Sequence, residues 1–115
     1  GGIVDYHFDI RFNNEGLTLY PHFNANPKAG WFDKNLIRQV SPRNYSNTVM
    51  LVPSSEFIAG LPYKKIPDRK DFETLNAADR LQYWRTVLAE TERLAESFSE
   101  LLITQNMSKM KKLPF

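Results

Sequence analysis

One stretch of the chain, residues 76–105, contains neither proline nor glycine, and this limits what the rest of the chain can build around it. Asn76 can cap the start of a helix, and Asp79 lies in the first turn, where the helix dipole favours an acidic side chain. At a rise of about 1.5 Å per residue, a helix over this stretch is about 45 Å long. The sequence therefore predicts one long C-terminal helix.

Apolar side chains recur along this helix at alternating spacings of four and three residues, the pattern of an amphipathic helix. The stripe consists of Ala77, Leu81, Trp84, Leu88, Thr91, Ala95, Phe98 and Leu102. Val87, Leu94 and Leu101 widen it on one flank. Strands of a small sheet span only about 17–20 Å, so the helix outruns them and part of its stripe needs another cover.

We therefore expect a partner-binding surface on this helix, built on Trp84, Leu88, Phe98 and Leu102. A second copy of the helix is the simplest cover and gives a homodimer. A partner protein, or a part of the parent chain outside this sequence, would cover the stripe equally well. The alternative is a bent or broken helix that its own sheet covers completely.

The N-terminal region predicts a β-hairpin, because two segments of alternating polarity flank a turn. Residues 4–12 alternate strictly between apolar and polar side chains, and residues 17–24 alternate in the opposite sense. Residues 13–16, with two asparagines and a glycine, are typical of a tight turn. The tightest register that places both apolar sets on one face pairs Phe12 with Leu17.

The same register places the two histidines of the chain, His7 and His22, opposite each other on the polar face, with Cβ atoms about 5 Å apart. Asp9 lies on that face as well. These three side chains could hold a divalent metal, or the histidines could divide the acid and base roles of a hydrolase or nuclease. The polar face of a hairpin is shallow, however, and solvated surface residues are the simpler interpretation.

The middle of the chain, residues 24–71, contains five prolines and is broken into short elements. Residues 47–52 are rich in β-branched and apolar side chains, which predicts a strand inside the sheet beside the hairpin. Ser54 or Ser55 can cap a short helix over residues 56–59.

The net charge of +2 conceals a basic centre: residues 28–70 carry eight Lys or Arg against three Asp or Glu. By contrast, residues 71–105 carry seven acidic side chains against three arginines. The predicted polyanion-binding residues are Arg38, Arg43, Lys64, Lys65, Arg69 and Lys70. We expect this centre to contact an acidic partner or nucleic acid. The alternative is that it complements the acidic helix within the fold.

The fold class that these elements predict is α+β: a small antiparallel sheet built on the N-terminal hairpin, with the long helix packed across one face. A chain of 115 residues fits one domain, which we place at residues 1–105. Residues 106–115 carry three lysines and lose the helical pattern, so we expect a basic, flexible tail. Gly1 and Gly2, without a methionine, indicate a processing or cloning remnant.

Composition narrows the function further. The absence of cysteine excludes disulfides, thiolate metal sites and cysteine nucleophiles. No apolar run approaches the length of about 18 residues that a membrane span needs, so we expect a soluble protein, with the cytoplasm favoured. The resulting hypothesis is a non-catalytic binding or assembly module without a cofactor, which self-associates or docks a partner through the long helix. The alternative hypothesis is a hydrolase or nuclease that uses His7, His22 and Asp9.

Overall fold

A computed structural model of the protein describes residues 9–28 and 39–115. In chain order, the elements are strand β1 (Thr18–Pro21), a 3-10 turn (Pro42–Tyr45), strand β2 (Thr48–Leu51), helix α1 (Ser55–Ala59), a second 3-10 turn (Pro62–Lys64), helix α2 (Asp71–Thr74) and helix α3 (Ala77–Thr104). The chain divides into a first unit, Gly1–Val52 with Lys111–Phe115, and a second unit, Pro53–Met110. A domain can contain two such units, so the predicted single domain stays a prediction.

The sheet of the first unit consists of β1 and β2, which pair in parallel with Thr18 opposite Thr48. The backbone N–H of Thr18 donates to the carbonyl of Asn47 at 2.8 Å, and that of His22 donates to Leu51 at 2.8 Å. The predicted antiparallel sheet is therefore wrong. The connection between the two strands is long enough for the crossover that parallel strands require.

The predicted first strand of the hairpin is not formed where the structure describes it, at residues 9–12. Its remaining residues, 4–8, lie outside the described ranges. The carboxylate of Asp9 instead accepts hydrogen bonds from the backbone of Ser41 at 2.8 Å and from the amide of Asn44 at 2.9 Å. Asp9 is thus bound to the residues that lead into β2, and the described part of this segment forms no ladder with residues 17–24.

The core of the first unit is built on two buried side chains, Val40 and Tyr45. Partly buried side chains packed against this pair are Tyr20, Met50, Leu113 and Phe115. The ring of Phe115 meets Tyr45 edge-on at a centroid distance of 5.0 Å. Because Tyr20 faces this core, its neighbour Leu19 is exposed, which reverses the two faces predicted for this strand.

The long helix α3 confirms the predicted C-terminal helix. The side chain of Asn76 caps it by accepting from the backbone of Asp79 at 2.9 Å, and Gln105 ends it in the left-handed region at a φ of 52°. The short helix α1 is also confirmed, with Ser54 as its cap. Residues 53–110 contain no strand, and within this unit α3 packs on α2 and the Pro62–Lys64 turn. Within the described ranges, no helix has both the length and the apolar character to cross a bilayer.

Candidate interaction surfaces

The second unit is organised around Asp71, the first residue of α2, whose side chain has 0% of its surface exposed. One carboxylate oxygen accepts from the ammonium of Lys65 at 2.5 Å. The other accepts from the indole of Trp84 at 2.8 Å and from the backbone of Asp68 at 3.1 Å. Both oxygens of this buried group are therefore satisfied, as burial of a charge requires.

The pKa of Asp71 reports a balance between burial and hydrogen bonding. Burial alone would raise the pKa, but the hydrogen bonds from Lys65, Trp84 and the Asp68 backbone outweigh it and hold the pKa below the usual value. The hydrogen bond to Asp71 also raises the pKa of Lys65. Both groups are charged at neutral pH, so Lys65, predicted to bind polyanions, has a structural ion pair in its own unit.

The chain before α2 has a fixed and unusual shape. Tyr63 and Lys64 have φ values of 59° and 52°, in the left-handed region that residues other than glycine rarely adopt. The hydroxyl of Tyr83 on α3 donates to the carbonyl of Lys65, and the ring of Tyr83 lies edge-on to Tyr63 at 5.0 Å. Burial raises the pKa of the Tyr83 phenol. These contacts hold the segment against α3 in one conformation.

This held segment, residues 64–70, carries four of the six predicted polyanion-binding side chains, and we call it the basic loop. Lys64, Arg69 and Lys70 are exposed on it. Asp68 accepts from the backbone of Lys70 at 2.6 Å and helps to fix the loop. Of the other two residues, Arg43 belongs to the 3-10 turn of the first unit, and Arg38 lies outside the described residues.

Trp84, predicted to bind a partner, also packs within its own unit. Its ring meets the exposed ring of Phe72 edge-on at 5.3 Å, and the guanidinium carbon of Arg80 lies 4.4 Å from the centre of the Phe72 ring. A shallow depression of about 320 Å³ opens beside these rings, lined by Pro67, Asp68, Arg69, Phe72 and Trp84. Phe72 was not among the predicted binding residues, because its only signal in the sequence is a lone aromatic side chain between two acidic ones.

The remaining predicted partner-binding residues divide between two faces of α3. The face that packs on the unit consists of Tyr83, Val87, Leu94, Phe98 and Leu101, which are buried or half-buried. The other face carries an open stripe of exposed apolar side chains, each seven residues from the next: Leu81, Leu88, Ala95 and Leu102. Leu88 has 71% of its surface exposed and Leu102 has 62%. The flank of the predicted stripe is thus its covered part, and much of its centre is open.

The structure describes two of the three residues of the histidine hypothesis, His22 and Asp9. His7 lies outside the described residues. The Nδ1 of His22 lies 2.8 Å from the carbonyl oxygen of Asn24, to which a protonated ring donates, and 2.9 Å from the backbone nitrogen of the same residue. The ring stacks on Phe23 at a centroid distance of 4.5 Å. Burial lowers the pKa of His22, and the backbone contact with Asn24 opposes this in part. Asp9 is engaged by Ser41 and its neighbours, as described above.

The parts of the chain that the structure describes hold no group of three or more His, Asp or Glu side chains that could bind a metal ion. The metal-dependent and acid–base readings of His7, His22 and Asp9 stay predictions.

Comparison of the chain with the models of protein families, with curated proteins and with solved structures finds no match. The open stripe of α3 and the basic loop are the two surfaces of the described residues that bear on function.

Proposed function

We propose that this protein is a non-catalytic assembly module that self-associates through the open stripe of α3. The observation that carries the proposal is the exposure of Leu81, Leu88 and Leu102 along one face of a helix whose opposite side is already packed. Burying a leucine that was exposed contributes about 1.5–3 kcal/mol. A partner that covers a face with three such side chains therefore gains a considerable free energy of association.

A helix is the partner that best fits this stripe. The spacing of seven residues between Leu81, Leu88, Ala95 and Leu102 is the repeat of a coiled-coil seam. The stripe extends over about 32 Å, so a short loop could cover only part of it. A second copy of α3 presents the same length and the same repeat, and it is present at the concentration of the protein itself.

The experiment that tests self-association compares two single substitutions by sedimentation velocity. Leu88→Glu places a charge in the centre of the open stripe, and we expect it to convert the dimer to a monomer. Ala89→Glu introduces the same charge at the next residue, which is exposed but lies away from the stripe, and should leave the dimer intact. Equal sedimentation of the two variants and the unaltered chain as monomers would contradict the proposal.

The basic loop supports a second contact, with an acidic protein partner or nucleic acid. Lys64, Arg69 and Lys70 are exposed on a segment whose conformation is already fixed, so an anionic ligand need not order it. The test is binding of a labelled single-stranded oligonucleotide and an acidic peptide at increasing salt. Affinity should fall with salt, and replacement of these three residues by glutamine should abolish it. Replacement of the tail lysines Lys111 and Lys112 is the control.

A further inference from the structure

We infer that two copies of α3 pair in antiparallel orientation, so that Arg85 of each copy lies beside Glu92 of the other. This inference rests on the self-association proposed above and adds the partner's orientation and register. Arg85 and Glu92 are both exposed. Arg85 follows Leu81 by four residues, and Glu92 follows Leu88 by four. At about 100° per residue, both therefore lie along one edge of the open stripe.

The two edges of the stripe differ in chemistry. One edge carries Arg85 and Glu92. The other edge borders the packed face and carries Arg80, Val87 and Leu94, which are half-buried, so it offers no acidic side chain. In an antiparallel pair, edges of the same kind meet. The charged edge of one copy then runs along the charged edge of the other, and two symmetric Arg85–Glu92 pairs form across the seam.

A parallel pair would bring unlike edges together. The residue of the opposite edge that would then approach Arg85 is Arg80, whose guanidinium is stacked on Phe72, and the one that would approach Glu92 is Val87. The first contact is a repulsion between like charges, and the second leaves a carboxylate beside an apolar side chain. Charge complementarity therefore favours the antiparallel arrangement.

Side-chain volume points to the same orientation. The antiparallel register that brings Arg85 to Glu92 pairs Leu88 with Thr91 and Ala77 with Leu102, and these four side chains are exposed. Each of these layers combines a large side chain with a smaller one, which is how interdigitating layers fill space. A parallel pair in register would instead place Leu88 on Leu88 and Ala95 on Ala95, so that one layer holds two large side chains and another two small ones.

The first arm of the test measures orientation with spin labels, which this chain without cysteine accepts at single sites. Glu100→Cys is exposed and lies off the stripe. In the antiparallel dimer its two labels are separated by about 32 Å along the helix axis, whereas in a parallel dimer they lie within about 20 Å of each other. Ala89→Cys, close to the midpoint of the stripe along the helix axis but away from its face, is the matched control, because its two labels have nearly the same axial position in either orientation.

The second arm reverses the charges. Arg85→Glu should weaken the antiparallel dimer roughly tenfold, because two attractive pairs become repulsive, and the double variant Arg85→Glu with Glu92→Arg should restore it. In a parallel dimer, Arg85→Glu would relieve the repulsion from Arg80 and tighten the association.

The outcomes separate this inference from the proposed function. A long Glu100→Cys distance with a short Ala89→Cys distance supports the antiparallel pair. Two short distances, or a tighter dimer for Arg85→Glu, overturn the orientation and leave self-association standing. A chain that stays monomeric and shows no coupling at either site overturns both.

Discussion

The two faces of α3 both carry large apolar or aromatic side chains, but one face is buried and the other is exposed. On the packed face, Tyr83 has only 2% of its surface exposed, and its hydroxyl binds the backbone of Lys65. On the open face, Leu88 has 71% exposed and contacts solvent. The difference indicates that one face holds the second unit together, while the other is the face to which we assign the proposed self-association. Substitutions on the two faces should therefore affect different equilibria, folding for one and association for the other.

The largest effect on the packed side is expected from Asp71→Asn. The substitution keeps the size of the side chain but removes its charge and turns one acceptor into a donor facing the donors of Lys65 or Trp84. Buried hydrogen bonds to a charged group contribute about 1.5–3 kcal/mol, so we expect a loss of about 2–4 kcal/mol in the free energy of unfolding, measured with urea. Glu73→Gln, an exposed neighbour on α2, is the control and should change stability by less than about 0.5 kcal/mol. Equal effects of the two substitutions would contradict the role given to Asp71.

The next effect separates two adjacent residues of α3, Val87 and Leu88. Leu88→Ala should weaken the dimer by about 2 kcal/mol while leaving the unfolding of the dilute monomer nearly unchanged, because this side chain is exposed there. Val87→Ala should lower the free energy of unfolding by about 1 kcal/mol, because its side chain is half-buried, and leave association nearly unchanged. The measurements are sedimentation equilibrium for association and urea unfolding of the dilute protein. If both substitutions changed the same quantity, the distinction between the faces would fail.

The smallest effect is a pH dependence of the packed side. The pKa of Asp71 is lowered in the folded state, so its contribution to stability is present above the unfolded value of 3.8 and is lost as the pH falls through the lower folded value. The pKa of Lys65 is raised, so its contribution is present below 10.5 and is lost as the pH rises through the higher folded value. Urea unfolding over this range should show both losses, and Asp71→Asn should flatten the acid limb. An unchanged acid limb in that variant would assign the titration to other carboxylates.

The elements that the sequence predicted well are those fixed by neighbouring residues. Asn76 caps α3 and Ser54 caps α1 through backbone groups only three residues away, and such short-range chemistry is legible in the sequence. The strand β2 was predicted for a related reason, because its apolar and β-branched residues lie together shortly before Pro53.

The elements that the sequence predicted wrongly depend on distant partners. The alternation of residues 4–12 predicts a strand of a hairpin, yet Asp9 accepts a hydrogen bond from Ser41, which lies 32 residues along the chain. Alternation indicates which side chains are apolar and carries no information about which segment pairs with which. The parallel pairing of β1 with β2 and the packing of Tyr20 against Val40 and Tyr45 likewise join segments that are far apart in the sequence.

The candidate surfaces also depend on contacts between distant residues, which the sequence pattern does not reveal. The heptad pattern of α3 was visible, but the choice between its centre and its flank as the packed side depends on Tyr83 reaching the backbone of Lys65. The burial of Asp71 was not predicted, because an acidic residue is normally expected on the surface. Only the structure shows that Lys65 and Trp84 donate hydrogen bonds to its carboxylate.

The central claim, that the open stripe of α3 is a self-association surface, is tested most directly by the mass of the unaltered protein in solution. Light scattering over a series of concentrations requires no substitution and no label. The expected result is a mass that rises from 13.4 kDa in dilute solution to twice that value as the concentration increases. A mass that stays at 13.4 kDa at every concentration would contradict the claim.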